Sequence, residues 1–394
     1  MRTALIAWDY PPSPSGLSTA AREIAESLVL AGCEVTVFTL DREGRETAGG
    51  VTIVGCPLAK DSGLGRLRLY GGAGHLAAPL AFRRAVLAEH ASRPFQIVEA
   101  TNWYAPAALL TGRHGFRLVT RNSTPAAFSR DPAKTARDRL DGWAADRLER
   151  RQARGSAALI SNTGDHARRI TAEYGLSGRQ PHAVVGLSLP PATIARGQAA
   201  TYPEAGGTQV LRLLFVGRAE HRKGFDMIVE AAAILGTEAD QGRVPSFEIR
   251  LVGVPESDMP GDLPAPARAR IRALGRMREE ALAVEYEGAH AVLAPSRYES
   301  FGLVYQEGIA YGRPMVANAL DASGREFVGD TGAGRMASRD TGAALADAIR
   351  PILTDAAVRD DLRAHALKAA GRFNRDTLGR ETKALYERAL QAPA

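Results

Sequence analysis

The chain has 394 residues, 45% of them hydrophobic and 24% charged, with 40 glycines and 22 prolines, which excludes fibrous, collagen-like and wholly disordered proteins. Its length points to two domains, each able to bury a core of its own. The net charge of +6 is uneven: residues 60–154 hold 17 basic and 8 acidic side chains, an excess of +9 that would attract anions.

Taken from the amino terminus, short apolar or β-branched runs alternate with helical patterns, the signature of parallel sheets built from βα units. The expected strands are Thr3–Trp8, Glu34–Leu40, Val51–Cys56, Phe95–Ala100, Arg117–Arg121, Ala157–Ser161 and Ala183–Val185. Ser18 to about Leu30 reads as a helix, with a hydroxyl residue at its start and Gly32 just past its end. Between Leu187 and Gln209 the pattern stops in a Pro-, Gly- and Ala-rich stretch, read as a linker. A second series follows, with strands at Leu211–Val216, Phe247–Val252, Ile271–Ala273, Ala291–Ala294 and Met315–Ala317. Apolar residues Leu378, Leu385, Tyr386 and Leu390 then give Arg375 onward a helical spacing, with no strand after it.

The fold expected is therefore α/β, with doubly wound lobes at residues 1–188 and 210–372, a linker at 189–209, and a helix in 373–394 packing back on the first lobe. Such sheets bind ligands at the carboxyl ends of their strands, so function is expected in a cleft where the two lobes face each other. Two cysteines, Cys33 and Cys56, provide neither a disulfide framework nor a zinc site. Ala4–Trp8 is too short for a signal peptide, and no apolar run reaches the roughly 18 residues of a membrane span, so a cytoplasmic protein is expected.

Three segments at strand ends carry the chemistry. The first, Pro295-Ser296-Arg297-Tyr298-Glu299-Ser300-Phe301-Gly302-Leu303-Val304-Tyr305-Gln306-Glu307, follows a strand and opens a helix. A helix starting near Gly302 leaves the N–H groups of Gly302, Leu303 and Val304 free for a phosphate, while Glu299 and Glu307 suit sugar hydroxyls. The second is Val216-Gly217-Arg218 followed by Lys223-Gly224, where Arg218 and Lys223 can grip phosphate oxygens and His221 and Arg222 face solvent. The third, Asp9 to Ser18, is stiffened by three prolines and opens at Ser15-Gly16, where a ligand can approach the backbone. Each segment alone could be a surface turn.

Together they resemble the retaining glycosyltransferases of family 4, the group 1 glycosyl transferases, which have the GT-B fold of two Rossmann-like lobes. The resemblance implies that Arg218 and Lys223 bind a donor diphosphate, Glu299 touches the transferred sugar and Glu307 holds the ribose. Arg276 and Met277 resemble the segment whose backbone meets the nucleobase, Gly16 would meet the donor, and Ser15, Gly16 and Asn122 would meet the acceptor. The chain departs from the family where Arg121-Asn122-Ser123 stands in place of a frequent histidine, at Ser15-Gly16 in place of a glycine pair, and at Val185-Gly186-Leu187 in place of Asn-Gly.

No Asp-x-Asp or metal-ligand spacing occurs, so a metal-independent enzyme without a cofactor is expected, using a nucleotide sugar as substrate. The acceptor would be a small molecule, a glycan or a lipid-linked hydroxyl. A basic first lobe, with Arg66, Arg68, Arg83 and Arg84, would suit peripheral contact with the inner membrane face. The other readings are a sugar-nucleotide epimerase or hydrolase of the same fold and a non-catalytic sugar-nucleotide sensor; nucleic-acid binding lacks interleaved aromatic and basic residues.

Overall fold

The computed structural model describes residues 1–13, 15–56, 58, 72–130, 132–203 and 210–392. Two compact units divide the chain: Met1–Ser188 with Asn374–Ala394, and Leu189–Phe373.

The first unit is built on eight strands: β1 (Arg2–Ile6), β2 (Glu34–Thr39), β3 (Arg45–Ala48), β4 (Val51–Gly55), β5 (Ile97–Thr101), β6 (Arg117–Asn122), β7 (Ala158–Ser161) and β8 (His182–Val184). They are ordered β3-β4-β2-β1-β5-β6-β7-β8, parallel except for β3. Strand β1 is buried throughout, as a strand covered on both faces must be. Its helices include α1 (Gly16–Leu30), α2 (Ala77–Ser92), α3 (Ala136–Arg154) and α4 (Gly164–Tyr174). Helix α1 starts two residues before Ser18, because the Ser15 hydroxyl accepts the Ser18 N–H and caps the end. Strand β3 was not expected: its four residues are all exposed and carry no apolar alternation. Gly49 and Gly50, both at positive φ, form the two-residue turn that folds it onto β4, where its charges guard the sheet edge.

The second unit has a six-stranded, wholly parallel sheet ordered β11-β10-β9-β12-β13-β14. Its members are β9 (Leu211–Val216), β10 (Phe247–Val252), β11 (Ile271–Gly275), β12 (Ala291–Ala294), β13 (Met315–Asn318) and β14 (Gly334–Ala337). Its helices include α5 (Pro191–Ala199), α6 (Phe225–Asp240), α7 (Glu279–Gly288), α8 (Leu303–Ala310), α9 (Gly342–Thr354) and α10 (Ala356–Ala369). Leu213, Phe215, Ile249, Leu251, Leu293 and Val316 form one core with residues of α6 and α9.

Helix α5 corrects the linker expectation. Pro191 opens it at a position where a missing N–H costs nothing, and Gly197 lets it lie against α8: a Cβ there would meet the Ala310 carbonyl at 2.4 Å. Residues 204–209 of the expected linker lie outside the described residues. The final helix, α11 (Arg375–Gln391), belongs to the first unit and packs on α1, burying Leu378, Leu385, Tyr386 and Ala389.

Candidate active site

Two βα loops of the second unit are locked together before any ligand is considered. Gly224, at φ +72°, packs directly on the loop after β12, where a Cβ would stand 2.2 Å from the Pro295 carbonyl. The Arg297 N–H donates to the Arg222 carbonyl at 2.8 Å. The Arg297 guanidinium takes Asp226 in a two-pronged pair, both contacts 2.8 Å, and also holds Asp340 at 2.8 Å. Gly224→Ala is expected to destabilise this unit by at least about 1–2 kcal/mol through its left-handed backbone alone, with the Pro295 clash in addition. Denaturant midpoints check this, and an unchanged midpoint would show that the loops are not held there.

This clamp sets Lys223 against Glu299. The Lys223 ammonium lies 2.6 Å from Glu299 Oε1, the Ser296 hydroxyl donates to the same oxygen at 2.7 Å, and Arg222 stands 3.5 Å from Oε2. Burial works to raise the Glu299 pKa, but the charges of Lys223 and Arg222 outweigh it and hold the carboxyl below its ordinary range. Glu299 is thus a fixed anion whose hydrogen-bond geometry is set before substrate arrives.

Gly302 follows at φ +83° and caps α8 with no side-chain hydrogen bond, and Leu303 opens the helix. Glu307, on the next turn, accepts the buried Tyr286 hydroxyl at 2.6 Å. Burial raises its pKa, opposed by that hydrogen bond and by the Lys223 charge. Arg276 is exposed and Met277 half-buried, both just past β11, where Gly275 turns at φ +64°.

Arg218, expected to grip phosphate oxygens with Lys223, has a side chain that is 64% exposed and pairs with Glu220 at 2.7 Å. Arg222, expected to face solvent, is instead 15% exposed and lies between Glu299, Glu220 and the Tyr298 carbonyl. The tight turn at His221–Lys223 brings these neighbouring cations to one carboxylate, which strand-and-helix periodicity alone does not reveal. Ser296 and Tyr286 were likewise missed; Ser296 lies inside the recognised segment, but Tyr286 sits on α7 with no local signal.

In the first unit the Ser15 hydroxyl, besides capping α1, donates to Asp9 at 2.6 Å, while Gly16 is exposed with open space around it. Asn122 corrects its assignment as an acceptor contact. It is 0% exposed and spends its amide N–H groups on the Ile160 carbonyl and Ser161 hydroxyl, at 2.9 and 3.1 Å, because it ends β6 beside β7. Trp103 packs edge-on against Trp8 and Tyr104. Arg83 and Arg84 are exposed on α2, and Arg66 and Arg68 lie outside the described residues. Among the described residues no cluster of His, Cys, Asp or Glu could hold a metal ion, and no helix is long and apolar enough to cross a membrane.

Two βα-built units of this topology, the second with an acid and a lysine facing each other at its strand ends, have the architecture of the GT-B fold class. A family model described as glycosyl transferases group 1 matches residues 211–355, and one described as a glycosyl transferase 4-like domain matches residues 15–187. The chain is 30% identical over 326 residues to a D-inositol 3-phosphate glycosyltransferase of Nocardiopsis dassonvillei, covering 77% of this chain and 73% of that protein. It is 29% identical over 383 residues to the D-inositol 3-phosphate glycosyltransferase of Geodermatophilus obscurus, covering 91% and 81%. Among solved structures, sucrose-phosphate synthase from Thermosynechococcus elongatus superposes with a TM-score of 0.73 at 20% identity, over the whole of both chains. The chain belongs to the group 1 glycosyltransferases, glycosyltransferase family 4.

Proposed function

We propose that this glycosyltransferase moves a sugar from a nucleoside diphosphate donor to an acceptor hydroxyl, with retention at the anomeric carbon and without a metal ion. The observation that carries the reading is Lys223 and Ser296 converging on one oxygen of Glu299, beside the uncapped start of α8. In this reading the diphosphate lies against the amides of Gly302, Leu303 and Val304, with Lys223 neutralising the oxygen that gains charge as the sugar leaves. Arg218 exchanges Glu220 for phosphate, a low-cost exchange since an exposed ion pair contributes only about 0–1 kcal/mol.

Glu299 orients the sugar and faces the positive charge that spreads over its ring, and Glu307 takes the ribose hydroxyls. The backbone at Arg276 and Met277 receives the base. The acceptor attacks from the face the diphosphate leaves, and the departing phosphate takes its proton. The names of the relatives, glycosyltransferases of D-inositol 3-phosphate, favour a polyol phosphate as acceptor, and the basic excess of residues 60–154 suits an anionic one.

A thermal-shift panel of UDP-, GDP-, ADP- and dTDP-sugars tests the donor. A ligand at about 100 times its Kd adds about 2.7 kcal/mol to stability, so one base should raise the melting temperature clearly above the others. No shift with any nucleotide sugar would overturn the reading, and nucleotide release indifferent to added acceptors would turn it toward hydrolysis.

A further inference from the structure

The loop after β13 holds the Glu299 segment from behind. Asp321, 1% exposed, accepts the Glu299 N–H on Oδ1 at 2.9 Å. Its Oδ2 accepts the Tyr305 hydroxyl at 2.8 Å and the Gly324 N–H at 3.0 Å. Two residues on, the Ser323 hydroxyl donates to the Glu299 carbonyl at 3.0 Å, so both peptide groups of Glu299 are held by one short turn. Tyr305 lies on the first turn of α8, and its ring fills the space beside Gly302, where a Cβ would stand 2.4 Å away. A single carboxylate therefore fixes the segment at two points, the acid at one end and the helix start at the other. The turn is itself backed by Phe327, whose ring meets Phe301 at 5.2 Å.

We propose that Asp321 is a positioning residue for sugar transfer, aiming Glu299 and the first amides of α8 at the same donor. The inference rests on the assignment of Glu299 to the donor site. Asp321 has no contact of its own with the reacting atoms to offer: all three of its bonds go to the backbone and side chains that make the site. An error of about 1 Å in such aim costs on the order of a hundredfold in rate.

The groups facing Asp321 are Glu299 across the loop and Tyr305 from α8, with Lys223 and Arg222 behind Glu299. Arg325, further along its own turn, donates to the Ala319 carbonyl. Burial, then the Glu299 charge, pushes the Asp321 carboxyl up to about 6. Protonation converts an acceptor oxygen into a donor and releases part of the grip. Because the folded pKa is raised, the folded state binds this proton more tightly than the unfolded chain does, so protonation at this site does not itself destabilise the fold. Turnover should fall below about pH 6 while the protein stays folded.

The test is steady-state release of nucleoside diphosphate from UDP-glucose, or from whichever sugar of the panel gives the largest thermal shift, for wild type, Asp321→Asn, Tyr305→Phe and Glu299→Gln. Asp321→Asn should lower kcat by about 10–100-fold with little change in KM, the range seen when a supporting hydrogen bond behind a site residue is removed. The acid limb near pH 6 should vanish with it. Tyr305→Phe keeps the ring against Gly302 and removes the hydroxyl that Asp321 and, at 3.2 Å, the Ala294 carbonyl accept; it should lower kcat while the protein still folds, and it serves if the Asn variant does not fold. Wild-type kcat in both variants, or an acid limb that survives in Asp321→Asn, would overturn the proposal. Wild-type kcat in Glu299→Gln would overturn the site assignment instead.

Discussion

Lys223→Ala is expected to lower kcat by about 10²–10³-fold, the loss found when one preorganised donor is removed from a site that stabilises developing charge. Two effects combine. In the proposed reaction the leaving diphosphate loses the Lys223 ammonium group, and Glu299 loses the partner 2.6 Å away that helps hold its carboxyl below the ordinary range. The sign of the second effect is defined. A depressed glutamate pKa adds stability at pH values above the unfolded pKa, and that stability is lost as pH falls through the folded value. The variant should therefore be less stable than wild type at neutral pH and approach it in acid. Rates with the panel donor, together with melting temperatures at pH 7 and pH 4, check both. Near-normal turnover would remove Lys223 from the reaction.

Arg375→Ala should destabilise the first unit by about 3–5 kcal/mol, the cost of removing one partner from a buried ion pair. Glu23 on α1 is 0% exposed, and it receives Arg375 through two nitrogens at 2.7 and 2.5 Å and the Ser188 hydroxyl at 3.0 Å. Without the guanidinium a carboxylate remains buried with one hydroxyl donor and, at 3.6 Å, the Arg22 side chain. Arg375→Met combined with Glu23→Leu should recover much of the loss, because apolar pairs of similar volume often replace a buried ion pair at little cost. Hydrogen exchange of the α11 amides reads the effect locally. Wild-type protection in Arg375→Ala would show that helix packing, not this pair, holds α11 in place.

Most of the parallel framework was legible because a strand buried on both faces must be a short apolar run, and Leu211–Val216, Phe247–Val252 and Ala291–Ala294 match the observed strands. What escaped had other physics. Strand β3 is set by a glycine turn and its four residues are exposed, and β14 is the short Gly-Arg-Met-Ala, whose glycine is required because a Cβ would meet the Met315 carbonyl at 2.1 Å. Helix α5 looked like linker because the residues that let it start and dock, Pro191 and Gly197, are also those that break helices elsewhere.

In the site, Lys223, Glu299, Gly302 and Glu307 were legible as side chains and backbone at strand ends. Their partners were not, since the Arg222 turn, Tyr286 and Asp321 reach them through tertiary contacts that sequence spacing does not encode. Asn122 failed for the opposite reason: its position at a strand end suggested access, but it is fully buried and its amide N–H groups go to the neighbouring strand.

The return of α11 to the first unit bears on how the protein is made. Residues 189–373 form a continuous unit and can complete their fold while the carboxyl terminus is still being synthesised. The first unit cannot: its buried Glu23 waits for Arg375, 352 positions downstream, and Glu99 waits for Tyr386. The part translated first is therefore the last to mature, and a nascent chain stalled before residue 374 would expose the face of α1 against which α11 packs, a target for chaperones.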